Sequence, residues 1–354
     1  MATAEKTNND SLPNLPINLV AEIFCGLSVK LLVQLQCMCK SWNSLTSGLN
    51  FTRKHLSLST TRRLHCTKYK SKPHVENSYP LESVLSTKFT QHRLPFNNIA
   101  ASCGDILCLF DKPKAFVALW NPSIRIFKEL PLFLNCEILN NKVYMTFGFD
   151  YDQVSHNYKV DVLYYTKSNL LDTTKFKVHV LGTNCWKTTQ TFPFGAVFDE
   201  QSGTYVRGTL NWITHTQWRR IGPIFILSFH LENDSYQKLF PQSRADISPV
   251  YFTLSVLKDC LCLISHHHFW LMKEYGIHDS WTKLFFVSFI QDPTKSYILS
   301  NTLYVFEDHR LLLEIQDDWT RKLVLYDPKN DTFNITRFKN TLKLSLETLI
   351  SPCS

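Results

Sequence analysis

No stretch of the 354 residues stays apolar for the ~18 positions that a bilayer-crossing helix needs. The opening segment, Met1 to Asp10, is polar and lacks the apolar centre of a secretory leader. These absences lead us to expect a soluble chain working in the cytoplasm, the nucleus or both, with no membrane partner. Signatures of common catalytic sites are missing too: there is no Gly-X-Ser-X-Gly elbow, no Walker loop and no His-Glu-X-X-His helix. No catalytic residue and no cofactor is therefore expected. Framework spacing is absent from the eleven cysteines, an odd number, so they read as reduced and mostly buried thiols. The Asn233-Asp234-Ser235 triplet then carries no glycosylation meaning.

What is present is a packed globular composition, 44% hydrophobic and 19% charged. The 25 Phe, 14 Tyr and 8 Trp favour strands, because flat and branched side chains fit a pleated surface. The net charge of +8 is concentrated. Arg62, Arg63, Lys68, Lys70 and Lys72 fall within residues 61–75 with no acid among them, while the charges elsewhere nearly cancel. We read residues 59–99 as a basic linker followed by first strands. Nucleic-acid binding would need stacking aromatics beside that charge, and only Tyr69 is there, so a nucleic-acid partner is not expected.

From Leu15 to Leu56 the spacing predicts three short helices. The first starts at Pro16, with Leu19, Val20, Ile23, Phe24 and Leu27 on one face and Gly26 near its end. Ser28 can cap a second helix carrying Val29, Leu31, Leu32 and Leu35, and a third aligns Cys39, Trp42, Leu45 and Leu49. A module of roughly 40 residues cannot bury that much apolar surface alone. The excess meets either another protein or the rest of the chain, and spacing does not choose between them. Cys37 and Cys39 read as core thiols on a helix, since no second ligand pair follows at zinc-finger spacing.

Beyond residue 100 short apolar runs alternate with turn residues, and a period emerges. Leu119-Trp120-Asn121-Pro122 followed by Phe127 aligns without gaps on Leu325-Tyr326-Asp327-Pro328 followed by Phe333. In each copy the short polar side chain can bond its own backbone and the proline fixes φ, which reverses the chain into a hairpin. Phe229-His230-Leu231 to Tyr236 is a looser third copy, read as one residue shorter, and Trp186 and Trp281 mark two more hairpins. The markers Phe127, Trp186, Tyr236, Trp281 and Phe333 recur at a spacing near ~50 residues, as blades of a β-propeller do. Five or six blades are expected, the ring being closed by strands from residues 76–100 and the C-terminal tail. A large β-sandwich is the competing architecture. No Gly-Gly and no Trp-Asp pair occurs, so neither the kelch nor the WD signature is present.

Two resemblances sharpen these readings. Leu15-Pro16, Leu19-Val20, Glu22-Ile23-Phe24, Leu27, Val29-Lys30 and Cys37-Met38-Cys39-Lys40-Ser41-Trp42, with Phe51 and His55-Leu56 trailing, resemble the F-box of plant F-box proteins. Many relatives carry Pro where Ser28 stands and an arginine-like residue in place of Gly26. Gly104 to Leu109, Leu119 to Ser123, Lys128 to Pro131, Phe147 to Asp152, Tyr158 to Val160, Gly208 to Trp212 and Trp270 to Gly276 with Ser280 to Lys283 are similar, in family order, to the F-box-associated domain. That family includes F-box/kelch-repeat and pollen S-locus F-box proteins.

The resemblance implies an α+β multidomain chain: a disordered start over 1–12, a three-helix F-box over 13–58, the linker, and a mostly antiparallel all-β, propeller-like domain over 100–354. It implies a substrate-recognition subunit of an SCF-type ubiquitin ligase, with no catalysis of its own. A Skp-type adaptor and, through it, a cullin would be its partners, beside an unidentified protein target. By motif position Leu15, Pro16, Leu19, Ile23, Val29, Leu35 and Trp42 would contact the adaptor or support the contact. The alternative is a propeller that binds a small ligand or glycan without ligase assembly.

Three further groups of residues are of types that can bind a partner or a metal. Trp218, Arg219 and Arg220 lie between two predicted strands and are of types often energetic at interfaces, which makes them target-binding candidates. Leu132 to Asn141 is a second, weaker loop candidate. Cys260 and Cys262 with His266, His267 and His268 suggest zinc at first sight. On a strand followed by a loop, however, the cysteines are core and the histidines solvated, so no metal is expected.

Overall fold

The chain is described here from a computed structural model. It describes residues 15–67, 75–81, 90–94, 98–104, 106–111, 116–134, 143–152, 155–166, 174–188, 197–198, 202–215, 224–241, 252–265, 268–287, 297–306, 308–317, 320–336 and 341–353. The start of the chain, where disorder is expected, lies outside them.

Four helices, not three, open the described chain: α1 (Ile17–Cys25), α2 (Val29–Gln36), α3 (Lys40–Ser47) and α4 (Leu49–Leu58). Pro16 precedes α1 as its cap residue, and its carbonyl accepts from Leu19 N–H at 2.9 Å. Ser28 does cap α2, accepting from Leu31 N–H at 3.5 Å. The third helix stops early because Gly48 takes extended backbone (ψ 137°), so Leu49 begins a new helix and faces outward. Cys37 and Cys39 are exposed rather than buried, because they occupy the turn between α2 and α3.

The rest is a six-bladed antiparallel propeller. Blade 1 runs Asn98–Cys103, Ile106–Asp111, Phe116–Asn121, Ile126–Glu129; blade 2 Val143–Asp152, Asn157–Thr166, Lys175–Val180, Lys187–Thr188. Blade 3 has Thr204–Val206 and Val197–Phe198 side by side on Thr209–His215, then Ile224–His230 and Ser235–Leu239. Blade 4 runs Phe252–Leu257, Cys260–Ser265, His268–Met272, Trp281–Phe286; blade 5 Tyr297–Val305, Leu311–Asp317, Thr320–Asp327, Thr332–Thr336. Blade 6 joins the two ends of the chain: Thr341–Leu346 is its inner strand and Arg62–Thr67, Val75–Pro80 and Thr90–Arg93 complete it. First strands of successive blades meet around the axis, Thr341–Leu346 touching those of blades 5 and 1. The closing strands thus begin at Arg62, inside the stretch read as a linker, and Asn98–Cys103 belongs to blade 1 instead. Arg63 pairs with Glu347 at 3.1 Å, and the Arg62 guanidinium lies 4.8 Å over the Tyr304 ring.

All five aromatic markers sit on or beside a fourth strand. Trp120, Phe229 and Tyr326 pair with Phe127, Tyr236 and Phe333 in the same register, so the third hairpin is as long as the others. The shared turn closes through a left-handed residue at one equivalent place, Arg125 (φ 59°), Asp234 (φ 52°) and Asp331 (φ 50°). Blades 1 and 2, and blades 3 and 4, are also latched by indoles: Trp186 Nε1–H donates to Pro131 O (2.7 Å) and Trp281 Nε1–H to Phe240 O (3.1 Å).

Stretches far apart in sequence meet between blades. A Cβ at Gly148 would stand 2.7 Å from Leu210 Cδ1, and one at Gly203 would stand 2.7 Å from the Trp212 ring, so both glycines make room for that segment. The Tyr275 hydroxyl accepts from Thr209 Oγ1 and donates to Asn211 Oδ1, each at 2.7 Å, tying blade 4 to blade 3.

Candidate docking site

Leu19 and Ile23 fall four apart on α1 and so share one side of the helix, and Leu15 lies just ahead of them, before the cap residue Pro16. Leu15 is 60% exposed, Leu19 47% and Ile23 56%, with Pro16 and Ile17 exposed beside them. The opposite side of α1 builds a core: Phe24 and Cys25 pack with Val29 and Leu32 of α2 and Phe51 of α4. Phe24 meets Trp42 edge-on at 5.3 Å. His55 Nε2 lies 2.9 Å from Leu27 O and fastens α4 to the α1–α2 turn.

The seven residues singled out by motif position therefore divide. Leu15, Pro16, Leu19 and Ile23 stand on the surface; Val29, 2% exposed, is core, and Leu35 and Trp42 are half-buried against that core. The last three hold the row in place from beneath. Leu31 and Met38, exposed on α2 and on the turn after it, were not singled out, because helical spacing alone does not say which face lacks a neighbour.

The helical module is fastened to the propeller. Leu349 belongs to its core, and Ile124 packs on it from blade 1. Leu56 reaches the core shared by blades 1 and 2. Arg53 Nη2–H donates to His156 O (3.3 Å), and its guanidinium lies 5.9 Å over Tyr151.

Of the target-binding candidates, Trp218, Arg219 and Arg220 lie outside the described residues. In the second loop, Phe133 and Leu134 are core, Phe133 packing among Phe110, Phe147, Tyr164 and Trp186, while Leu132 is exposed; residues 135–141 lie outside the described residues. Cys260 and Cys262 share a strand and pack on one apolar cluster. His268 opens the next strand rather than a loop, its ring 5.0 Å from Phe286; His266 and His267 lie outside the described residues. Among the described residues no three His, Cys, Asp or Glu side chains gather as a metal site.

One polar array has no sequence signal. His65 Nδ1 lies 2.5 Å from Glu76 Oε1 and His65 Nε2 lies 2.6 Å from Ser345 Oγ, in the order of a serine nucleophile, its base and an orienting acid. Ser345 is only 4% exposed and the other two side chains are fully buried, so a substrate carbonyl has no approach. The array instead bolts together three strands of blade 6. Another long-range bond, Lys343 Nζ–H to Ser202 Oγ at 2.6 Å, joins the inner strand of blade 6 to blade 3; burial pushes this amine below its ordinary pKa while Glu314 pulls it back up.

The profile of the F-box associated beta propeller domain matches residues 56–348, and that of the F-box domain matches residues 12–54. The chain belongs to the F-box-associated propeller family. This F-box protein is 27% identical to an F-box/kelch-repeat protein of Arabidopsis thaliana, over 96% of either chain. It is 24% identical to F-box protein CPR1 of the same plant, over 93% of this chain and 86% of the relative. Against the six-bladed fungal lectin of Aleuria aurantia the TM-score is 0.40 at 10% identity, covering 78% of this chain and 95% of the lectin; the blade count rests on the six sheets themselves.

Proposed function

We propose that this F-box protein is the substrate-recognition subunit of an SCF-type ubiquitin ligase, acting in the cytoplasm or nucleus. The α1 row docks on a Skp-type adaptor that holds a cullin, and the propeller captures a protein target. The subunit contributes proximity rather than catalytic groups of its own. The observation that carries this reading is the row Leu15, Leu19 and Ile23, large apolar side chains left uncovered while the core beneath them is filled by the helices together with Leu349.

The helices attach where Ile124 and His156 lie, in the third-to-fourth connection of blade 1 and the first-to-second connection of blade 2. Second-to-third connections, including the one that leaves His215 toward Trp218, Arg219 and Arg220, start from the other end of the ring.

The test is capture of a Skp-type adaptor by the full chain, beside Leu19→Asp. Because Leu349 completes the helical core, the isolated helices are the wrong reagent. Capture by wild type and not by the variant supports the receptor reading. A well-folded wild type that fails with several adaptors sinks it and leaves a stand-alone binding propeller.

A further inference from the structure

The segment that follows Thr341–Leu346 binds three parts of the molecule at once. Glu347 N–H donates to Thr61 O (2.9 Å), and Ser59 Oγ–H donates to Glu347 O (3.1 Å). Two residues on, Leu349 enters the core of the helices with Phe24, Leu32 and Phe51, while its neighbour Ile350 enters the core of blades 1 and 2. Adjacent side chains thus anchor in two different cores.

Asn121 holds this segment. Its side chain is buried, and Nδ2–H donates to both Thr348 O (3.0 Å) and Ile350 O (2.9 Å). Its Oδ1 accepts from Ser123 N–H (2.8 Å) and Ile124 N–H (3.4 Å), which is the ordinary work of a turn-opening Asn or Asp. Among the described residues, the equivalent residue of blade 5, Asp327, does only the turn work, accepting from Lys329 N–H at 2.9 Å and Asn330 Nδ2–H at 2.9 Å. A carboxylate therefore suffices at 327. At 121 the side chain must also donate, because two carbonyl oxygens face it.

We infer that Asn121 and Leu349 are positioning residues that clamp the helical module and the propeller into one rigid body, fixing the α1 row relative to the far end of the ring. The clamp is a statement about the fold; its use in setting the distance between adaptor and target rests on the receptor reading above.

The experiment is amide hydrogen exchange on the full chain, comparing wild type with Asn121→Asp, Leu349→Ala and, as the matched turn control, Asp327→Asn. Asn121→Asp keeps both turn bonds but sets a carboxylate against two carbonyl oxygens. Residues 17–58 and 347–353 should then exchange roughly tenfold faster or more in Asn121→Asp and Leu349→Ala, with blades 3 to 5 as protected as in wild type. Small-angle scattering should show a larger radius for the same two variants, and Asp327→Asn should match wild type in both measurements. Unchanged protection of the helices in both clamp variants overturns the inference. So does equal loss of protection in blades 3 to 5, which would mark general destabilisation. Adaptor capture is scored separately: a wild type that captures no adaptor ends the receptor reading and leaves the exchange result standing.

Discussion

Truncating the α1 row should weaken adaptor binding in proportion to the area it offers. Fully covering a large aliphatic side chain contributes about 1.5–3 kcal/mol. Leu15, Leu19 and Ile23 keep between 47% and 60% of their surface open, so only about half of that gain remains to be made on docking. Alanine retains the first methyl, which leaves about 1 kcal/mol per position, or roughly a fivefold rise in Kd for Ile23→Ala alone. The triple variant Leu15→Ala, Leu19→Ala, Ile23→Ala should lose about 3 kcal/mol, on the order of a hundredfold. Titration calorimetry of the full chain with a Skp-type adaptor reads this directly, and circular dichroism should be unchanged because none of the three side chains supports the core. Leu132→Ala is the control: that residue is 64% exposed but sits on the propeller. If Leu132→Ala weakens binding as much as Ile23→Ala, or the triple variant binds like wild type, the row is not the docking surface.

Three further outcomes concern stability. The Asp161 carboxyl is fully buried, and neither oxygen has a hydrogen-bond partner among the described residues. Burial pushes its pKa well above the usual carboxylate range; Lys159 opposes this, and Asp150 and Asp234 add to it. Since the unfolded chain ionises near ~3.9, the protein is most stable with respect to this group below that pH and loses stability as pH rises toward the folded value. Asp161→Asn should therefore melt like wild type near pH 4 and a few degrees higher at pH 7.5, and parallel melting curves across pH would refute the argument. His65→Ala strips Glu76 and Ser345 of their common partner in the interior and should cost about 3 kcal/mol, read as a lowered urea midpoint. Gly203→Ala should cost about 1–3 kcal/mol, because the new methyl meets the rigid Trp212 ring; an unchanged midpoint would place that ring elsewhere.

Much of the propeller is legible because turn chemistry is local. Asn121-Pro122 and Asp327-Pro328 reveal hairpins from four residues, and a bulky aromatic on each return strand repeats wherever blades stack. The sixth blade leaves no such mark, since its strands come from residues 62–93 and 341–346 and no single window contains a hairpin of both. For the same reason the charge of Arg62 and Arg63 looks like a linker, although Arg63 faces Glu347 across the ring closure. In the helices, apolar spacing gives the faces but not their neighbours. Val29 and Ile23 are equally apolar, yet one is sealed under Phe51 and Leu349 while the other is bare. The His65, Glu76 and Ser345 array spans 280 positions, beyond any motif.

The position of Leu349 also sets an order of events during synthesis. Phe24 and Phe51 leave the ribosome about 300 residues ahead of the side chain that completes their core, a wait of about 15–60 s at typical elongation rates. Over the same interval the strand Arg62–Thr67 lacks Thr341–Leu346, the inner strand it pairs with. A nascent or prematurely terminated chain consequently carries a half-built helical core and an open sheet edge, both of them surfaces that chaperones bind. Quality control of this protein is thus written into a handful of residues that arrive together, and a nonsense mutation anywhere before them yields a chain with neither a closed ring nor a finished helical module.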